Sequence, residues 1–247
     1  KVGLLDGDPE NRGSIPLTEE NVETMNEYMQ AFNQPVSTIE LNQGTYANTG
    51  FTQWGASGLA VAWAEENTRD SIFKAFKRKE TFATSGPRIA VRFFGGYNLS
   101  SIDLNSDSLV SEAYKKGVTM GADLMNDDNK TPEFIVWAQK DKNGAPLQRV
   151  QIVKGWMDSV SGRPYEKVYD VACSDGLEVD PLTNRCPDNG ARVNISDCSI
   201  PQNIGSSELK TVWQDPEFNS KDKSFYYVRV LENPTCRWST WDAISRG

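Results

Sequence analysis

The chain has 247 residues, 38% of them apolar and 24% charged, with a formal net charge of -8. That length holds one large domain or two small ones, and that balance describes a soluble globular chain, not a disordered one. An acidic total excludes nucleic acid as a partner, because phosphate backbones demand clustered positive charge, and no run approaches the ~20 apolar residues of a membrane span.

Residues 1–5 (KVGLL) read as a short buried strand, as if the chain were cut from something longer. They run into the acidic turn Asp6-Gly7-Asp8-Pro9-Glu10-Asn11. Asp6 and Asp8, at alternate positions, are weak oxygen-ligand candidates for calcium or magnesium. The alternative is a solvated turn whose carboxylates accept backbone hydrogen bonds. Residues 18–32 predict a helix with Val22, Met25, Tyr28, Met29 and Phe32 on one face, a core or interface stripe. Residues 33–57 show little periodicity and read as a long loop. Residues 58–64 read as a short apolar strand.

Residues 65–94 organise the chain. Asn67 or Thr68 can cap a helix, with Asp70 in its first turn and Lys74, Lys77, Arg78 and Lys79 toward its end, as the helix dipole favours. Ile72, Phe73 and Phe76 predict one apolar side. The period then changes to two, giving a short strand over 81–85, a break at Gly86-Pro87 and a longer strand over 89–94. Residues 98–107 are a polar loop, 109–116 a short helix stopped by Gly117, and 117–124 a turn with an edge strand. From residue 133 the pattern is repeated strands, over 134–138, 149–156, 166–173, 192–195, 209–213 and 225–231, with a polar excursion over 174–190. Strands at that spacing predict an immunoglobulin-like sandwich.

Histidine is absent. A Ser-His-Asp triad or Cys-His dyad cannot be assembled from this chain, and a zinc site would need cysteines or carboxylates. The most site-like group is Thr84, Ser85, Gly86 and Arg88: Gly86 lets backbone approach an anion, the hydroxyls donate, and Arg88 can grip an oxyanion bidentately. The plain alternative is a turn joining two strands, with Arg88 paired to a carboxylate. Arg69, with Glu65 and Glu66, is a weaker candidate. Trp137, Trp156, Trp213, Trp238 and Trp241 read as core area. Asn98 and Asn194 begin glycosylation-type triplets, relevant only in a eukaryotic secretory host.

The four cysteines lack zinc-ribbon spacing, so disulfides and an oxidising compartment, periplasmic or secreted, are expected. Cys173 ends one strand. Cys198 and Cys236 follow later strands that run antiparallel to it in an immunoglobulin-like sandwich, so their ends meet at the opposite end. Cys173–Cys236 is then hard to close, and Cys186 can fold back to its neighbour. The expected pairs are Cys173–Cys186 and Cys198–Cys236.

The runs AVAWAEENTRDSIFKAFKRKETFATSGPRIAVRFFGG, GVTMGADL, FIVWAQKD, APLQRVQIVKGW, EKVYDVACSDG and FYYVRVLENPTCRWSTWDA resemble a bacterial family, domain-of-unknown-function family 3604, over residues 59–243. Its members resemble metallohydrolases of the polymerase and histidinol phosphatase superfamily, which implies a distorted barrel holding divalent metals and then a β-sandwich. Some members are described as sulfatases. The family's ligands are mostly His and Asp in an N-terminal part, most of which precedes this chain. Asp8 matches the Asp of its Asp-Thr-His-like motif, while Glu10 or Asn11 stands at the His.

The reading is therefore α+β. Residues 1–96 are an α/β remnant of a metallohydrolase-like barrel, 97–132 a connecting segment and 133–247 an immunoglobulin-like antiparallel sandwich. The function expected is the non-catalytic C-terminal part of a metal-dependent sulfate or phosphate ester hydrolase. The alternative is a sandwich binding or interaction module, or a structural domain. No cofactor is expected in this chain, with a divalent metal in the parent by resemblance. The expected partner is the missing N-terminal part or a second copy.

Overall fold

The structure, a computed structural model, describes residues 58–127 and 130–237, the backbone of two short earlier strands and a few isolated helical positions. The strand expected over 1–5, the turn carrying Asp6 and Asp8, most of the helix over 18–32, Trp238 and Trp241 lie outside the described residues.

Thr38–Leu41 (β1) and Gly44–Ala47 (β2) pair as an antiparallel hairpin, which corrects the long loop expected there. The overlooked signal is local: Thr38, Ile39, Thr45 and Tyr46 are strand formers separated by a two-residue link. Leu59–Ala62 (β3) and Thr81–Thr84 (β4) pair as a second ribbon. Between them runs helix α1, Arg69–Arg78. Thr68 caps it, its Oγ1 accepting from the Ser71 amide at 3.3 Å, and Lys79 ends it in the left-handed conformation (φ 60°). The helix departs from expectation in what it buries. Ser71 and Ala75 face inward, while Phe73 and Phe76 are 60% and 52% exposed. Polar links fix that rotation: Arg78 pairs with Glu65 and with buried Glu80, both at 3.2 Å, and Ser71 Oγ donates to Glu65.

The remaining strands are Ala90–Gly96 (β5), Gly117–Thr119 (β6), Glu133–Gln139 (β7), Leu147–Met157 (β8), Pro164–Cys173 (β9), Glu208–Gln214 (β10) and Lys223–Glu232 (β11). Helix α2, Leu109–Lys116, precedes β6 and ends at Gly117 as expected. Two antiparallel sheets result, one ordered β10-β7-β5-β6 and the other β11-β8-β9. Their facing sides share one core: Ile89, Phe134, Val136, Ala138 and Leu209 from the first pack with Leu147, Val150 and Ile152 from the second. The first sheet is buried on its other side too. Phe94 and Ile135 meet Leu99, Leu109 and Ala113 there, beneath α2. This is why β7 reads as the unbroken apolar run FIVWA, not an alternation.

The chain is mostly β with two helices among the described residues, and the strand order corrects the immunoglobulin expectation. An immunoglobulin sandwich opposes strands ABED to CFG. Here β5 lies between β6 and β7, and β8 lies between β9 and β11. Spacing alone does not reveal that order. Because β5 pairs along its whole length with β7, one sheet crosses the expected division between 1–96 and 133–247. Residues 192–195 form no strand. They belong to an irregular excursion over 174–207.

The disulfides are Cys173–Cys186 and Cys198–Cys236. Two premises behind these pairs are corrected: no strand forms over 192–195, and β9 and β11, both antiparallel to β8, run parallel, so Cys173 and the end of β11 lie at the same end of the sheet. What brings Cys198 to the end of β11 is the excursion itself, held by Asn233, whose Nδ2 donates to the Ile204 carbonyl at 2.7 Å while its Oδ1 accepts from Asn189 at 2.9 Å.

Candidate functional site

Strand β4 ends in Thr84, and the chain turns through Ser85, Gly86 and Pro87 into β5. Thr84 Oγ1 accepts from the Gly86 amide at 3.2 Å, and Gly86 takes a φ of 144°. The Arg88 amide donates to Asp141 Oδ2 at 2.6 Å. Asp141 is buried, so this bond pins the turn to the β7–β8 link. The Arg88 side chain is exposed. Thr84, Ser85, Gly86 and Arg88 are thus together by chain proximity. Arg69 is not with them: it opens α1 at the Ala62/Thr81 end of the β3–β4 ribbon, while Thr84 sits at the Leu59 end.

The turn borders a cleft of about 1140 Å³. Its floor is the inward side of β5, where Ile89, Val91, Phe93 and Gly95 appear at alternate positions. One wall is β4 from Thr81 to Thr84 with Ser85 just after it, and the other is β11 through every residue from Lys223 to Leu231. Of the four grouped candidates, Thr84 and Ser85 line it, whereas Gly86 and Arg88 do not. The deep end is aromatic. Phe134 stacks on Phe93 at 5.5 Å and meets Tyr226 at 4.4 Å, and Trp213 follows at 5.9 Å from Phe134.

Behind this aromatic floor lies a buried polar cluster. Lys154, from the middle of β8, is 2% exposed, and its Nζ lies 2.6 Å from Asp215 Oδ2 and donates to the Glu217 carbonyl at 2.7 Å. Tyr226 Oη donates to the same Asp215 oxygen at 2.7 Å. Burial, then the Asp215 carboxylate, pushes the Tyr226 phenol far above its ordinary range, and burial does the same to Tyr169. Glu217 is held below the usual carboxylate range, first by the hydrogen bond from Lys167. Neither Lys154 nor Asp215 lines the cleft. The cluster locks Tyr226 in place and presents no proton to a ligand. A sequence signal for it existed: Lys154 has the same strand parity as the core residues Val150 and Ile152.

A second hub sits at the α1 junction. Buried Glu80 accepts from Thr119 at 3.2 Å and from Tyr114, and Arg92 lies 3.7 Å over the Trp63 ring. Every member has a partner within the network, which suits a structural joint.

The described residues, on which the metal implied by the resemblance can be tested, do not include Asp6 and Asp8. Among the described residues no three His, Cys, Asp or Glu side chains are placed to hold an ion, and all four cysteines are in disulfides. No described helix is long and apolar enough to cross a membrane.

A family model described as protein of unknown function (DUF3604) matches residues 11–247, so the chain belongs to that family. No curated protein and no solved structure matches the chain.

Proposed function

We propose that the chain is the ligand-binding, non-catalytic module of its family, and that the cleft between β4, β5 and β11 is where the ligand sits. One observation carries this reading: a concavity of about 1140 Å³ with an apolar, aromatic floor and a hydroxyl-bearing rim at Thr84 and Ser85. Binding sites combine such a lining with a few placed polar groups. An aryl or alkyl group enters against Phe93 and Tyr226, and an attached anionic group stays at the rim. Two disulfides support an oxidising compartment, periplasmic or secreted.

Titration with anilinonaphthalene sulfonate, followed by fluorescence, tests the reading. Ala83 is exposed and lines the cleft, so Ala83→Trp fills it without touching the core. The expected result is at least a tenfold loss of affinity at an unchanged melting temperature. Equal affinity in both proteins would remove the cleft from consideration.

A second reading has family membership in its favour. By resemblance the module belongs to a metal-dependent sulfate or phosphate ester hydrolase, whose metal chemistry resides in other residues. With no His in the chain and Glu10 or Asn11 at the family's His position, the chain by itself is expected to turn over no aryl sulfate or aryl phosphate with added manganese or zinc. Turnover that Asp8→Ala abolishes would reverse that assignment.

A further inference from the structure

The way residues line the cleft reveals more than its size. Ile89, Val91, Phe93 and Gly95 alternate, so β5 presents a face. Residues 81–84 of β4, with Ser85 just after it, and 223–231 of β11 line it consecutively, both parities included, so these two strands present their edges. Both edges lack a strand neighbour among the described residues: β4 pairs only with β3, and β11 only with β8. The β11 edge is long, because the strand runs unbroken from Lys223 to Glu232. The cleft volume is about 1140 Å³. Ordinary small-molecule sites hold roughly 300 to roughly 1000 Å³, so an elongated occupant suits this one better than a compact one. Arg229, exposed on the outer side of β11, joins no ion pair among the described residues.

We propose that the cleft is a strand-acceptor groove. An extended peptide, with apolar side chains at alternate positions and a carboxylate facing Arg229, inserts between β4 and β11. Main-chain hydrogen bonds to the two edges supply affinity, and pockets for alternate side chains supply selectivity, the mode known as β-augmentation. Its inward side chains pack on Ile89, Val91 and Phe93. The insertion joins the β3–β4 ribbon to the β11-β8-β9 sheet as one continuous layer over β5. This deepens the binding-module reading and rests on it.

The test uses a short peptide alternating valine and threonine, with one threonine replaced by glutamate. It is compared with the same peptide N-methylated at alternate amides, by calorimetry on the full chain. The unmodified peptide should bind and the methylated one at least tenfold more weakly, with amide exchange slowed along β11. Arg229→Glu should weaken the glutamate peptide at least tenfold and accept a lysine peptide in its place. Equal binding of both peptides overturns the proposal, because the edges are then not read. Binding of anilinonaphthalene sulfonate without peptide binding overturns it while leaving the binding cleft intact, and failure of both ligands removes both readings. Self-association that protects β11 without any peptide assigns the groove to a second copy and also overturns it.

Discussion

The three-stranded sheet has two edges, and the chain treats them in opposite ways. At β9 the edge is closed by the irregular excursion. The Asp170 amide donates to the Asn184 carbonyl at 3.0 Å, and the Asp170 carboxylate, fully buried, accepts from the Cys186 amide at 2.8 Å and from Gln151 at 2.6 Å. Cys173–Cys186 then bolts the excursion to the strand end. At β11 the excursion reaches only the residues just past the strand, through Asn233 and Cys198–Cys236; along the strand itself no such cover is found among the described residues, and the edge faces the cleft. Native proteins blunt exposed edges because an edge recruits other strands. Among the described residues one edge of this sheet is sealed by a carboxylate hub and a disulfide while the other has no strand neighbour, and the strand-acceptor proposal rests on that asymmetry.

The largest expected effect strikes the central strand and the open edge together. Asp215→Ala leaves the Lys154 ammonium buried without its partner and frees Tyr226 of β11. Losing one member of a buried pair costs about 3–5 kcal/mol, readable in urea unfolding. A loss under about 1 kcal/mol would mean that water reaches Lys154. Next come the disulfides, which separate the edges. Cys198–Cys236 closes the longer loop, with a sequence separation of 38 against 13 for Cys173–Cys186. On the chain-entropy model, removing the longer link should cost about 4 kcal/mol and removing the shorter one about 3 kcal/mol. Amide exchange should quicken in the excursion in both variants and stay unchanged along β11. Equal acceleration on both edges would erase the contrast.

A smaller effect is specific to the open edge. A Cβ on Gly155 would lie 2.3 Å from the Phe225 ring, which occupies the space a side chain would take. Gly155→Ala should displace that exposed ring for about 1–3 kcal/mol and alter peptide or dye binding while sparing the excursion. The smallest effect is confined to the closed edge. The Arg192 hydrogen bond holds the Asp188 carboxyl down at about 2. A depressed carboxyl stabilises above its unfolded value of ~3.9 and loses that contribution as pH falls through the folded value. Asp188→Asn should therefore flatten the stability profile only between about pH 4 and about pH 2. A change near neutrality would refute this origin.

Much of this contrast is legible in the sequence, but not all of it. Strands β7 to β11, except for the excursion, announce themselves through Val, Ile, Tyr and Phe at strand spacing, and α2 through Gly117. Thr84 and Ser85 read as part of a turn, and the structure adds that they border a cleft. The cleft itself is hidden because it is a relation between β4, β5 and β11, which are far apart in the chain, and no local period encodes which strands fail to pair. Phe73 and Phe76 mislead in the opposite way: helical spacing locates their side of α1, but ion pairs at Glu65, Arg78 and Glu80 set which side is buried. Residues 192–195 carry a β-branched pattern without a neighbour to pair with.

The Lys154–Asp215 pair also bears on how the molecule is born. During synthesis β8 emerges well before its counter-ion, because β9 and the whole excursion lie between residues 154 and 215. Ribosomes extend a chain slowly enough that this interval lasts on the order of seconds. Throughout it the β8–β9 hairpin carries a solvated ammonium that forbids the two sheets from closing over it. Closure of the sandwich thereby waits for β10 and the turn after it, so chains stalled at residue 207 should remain open to protease along β8, and chains released past residue 232, with β11 also paired to β8, should not.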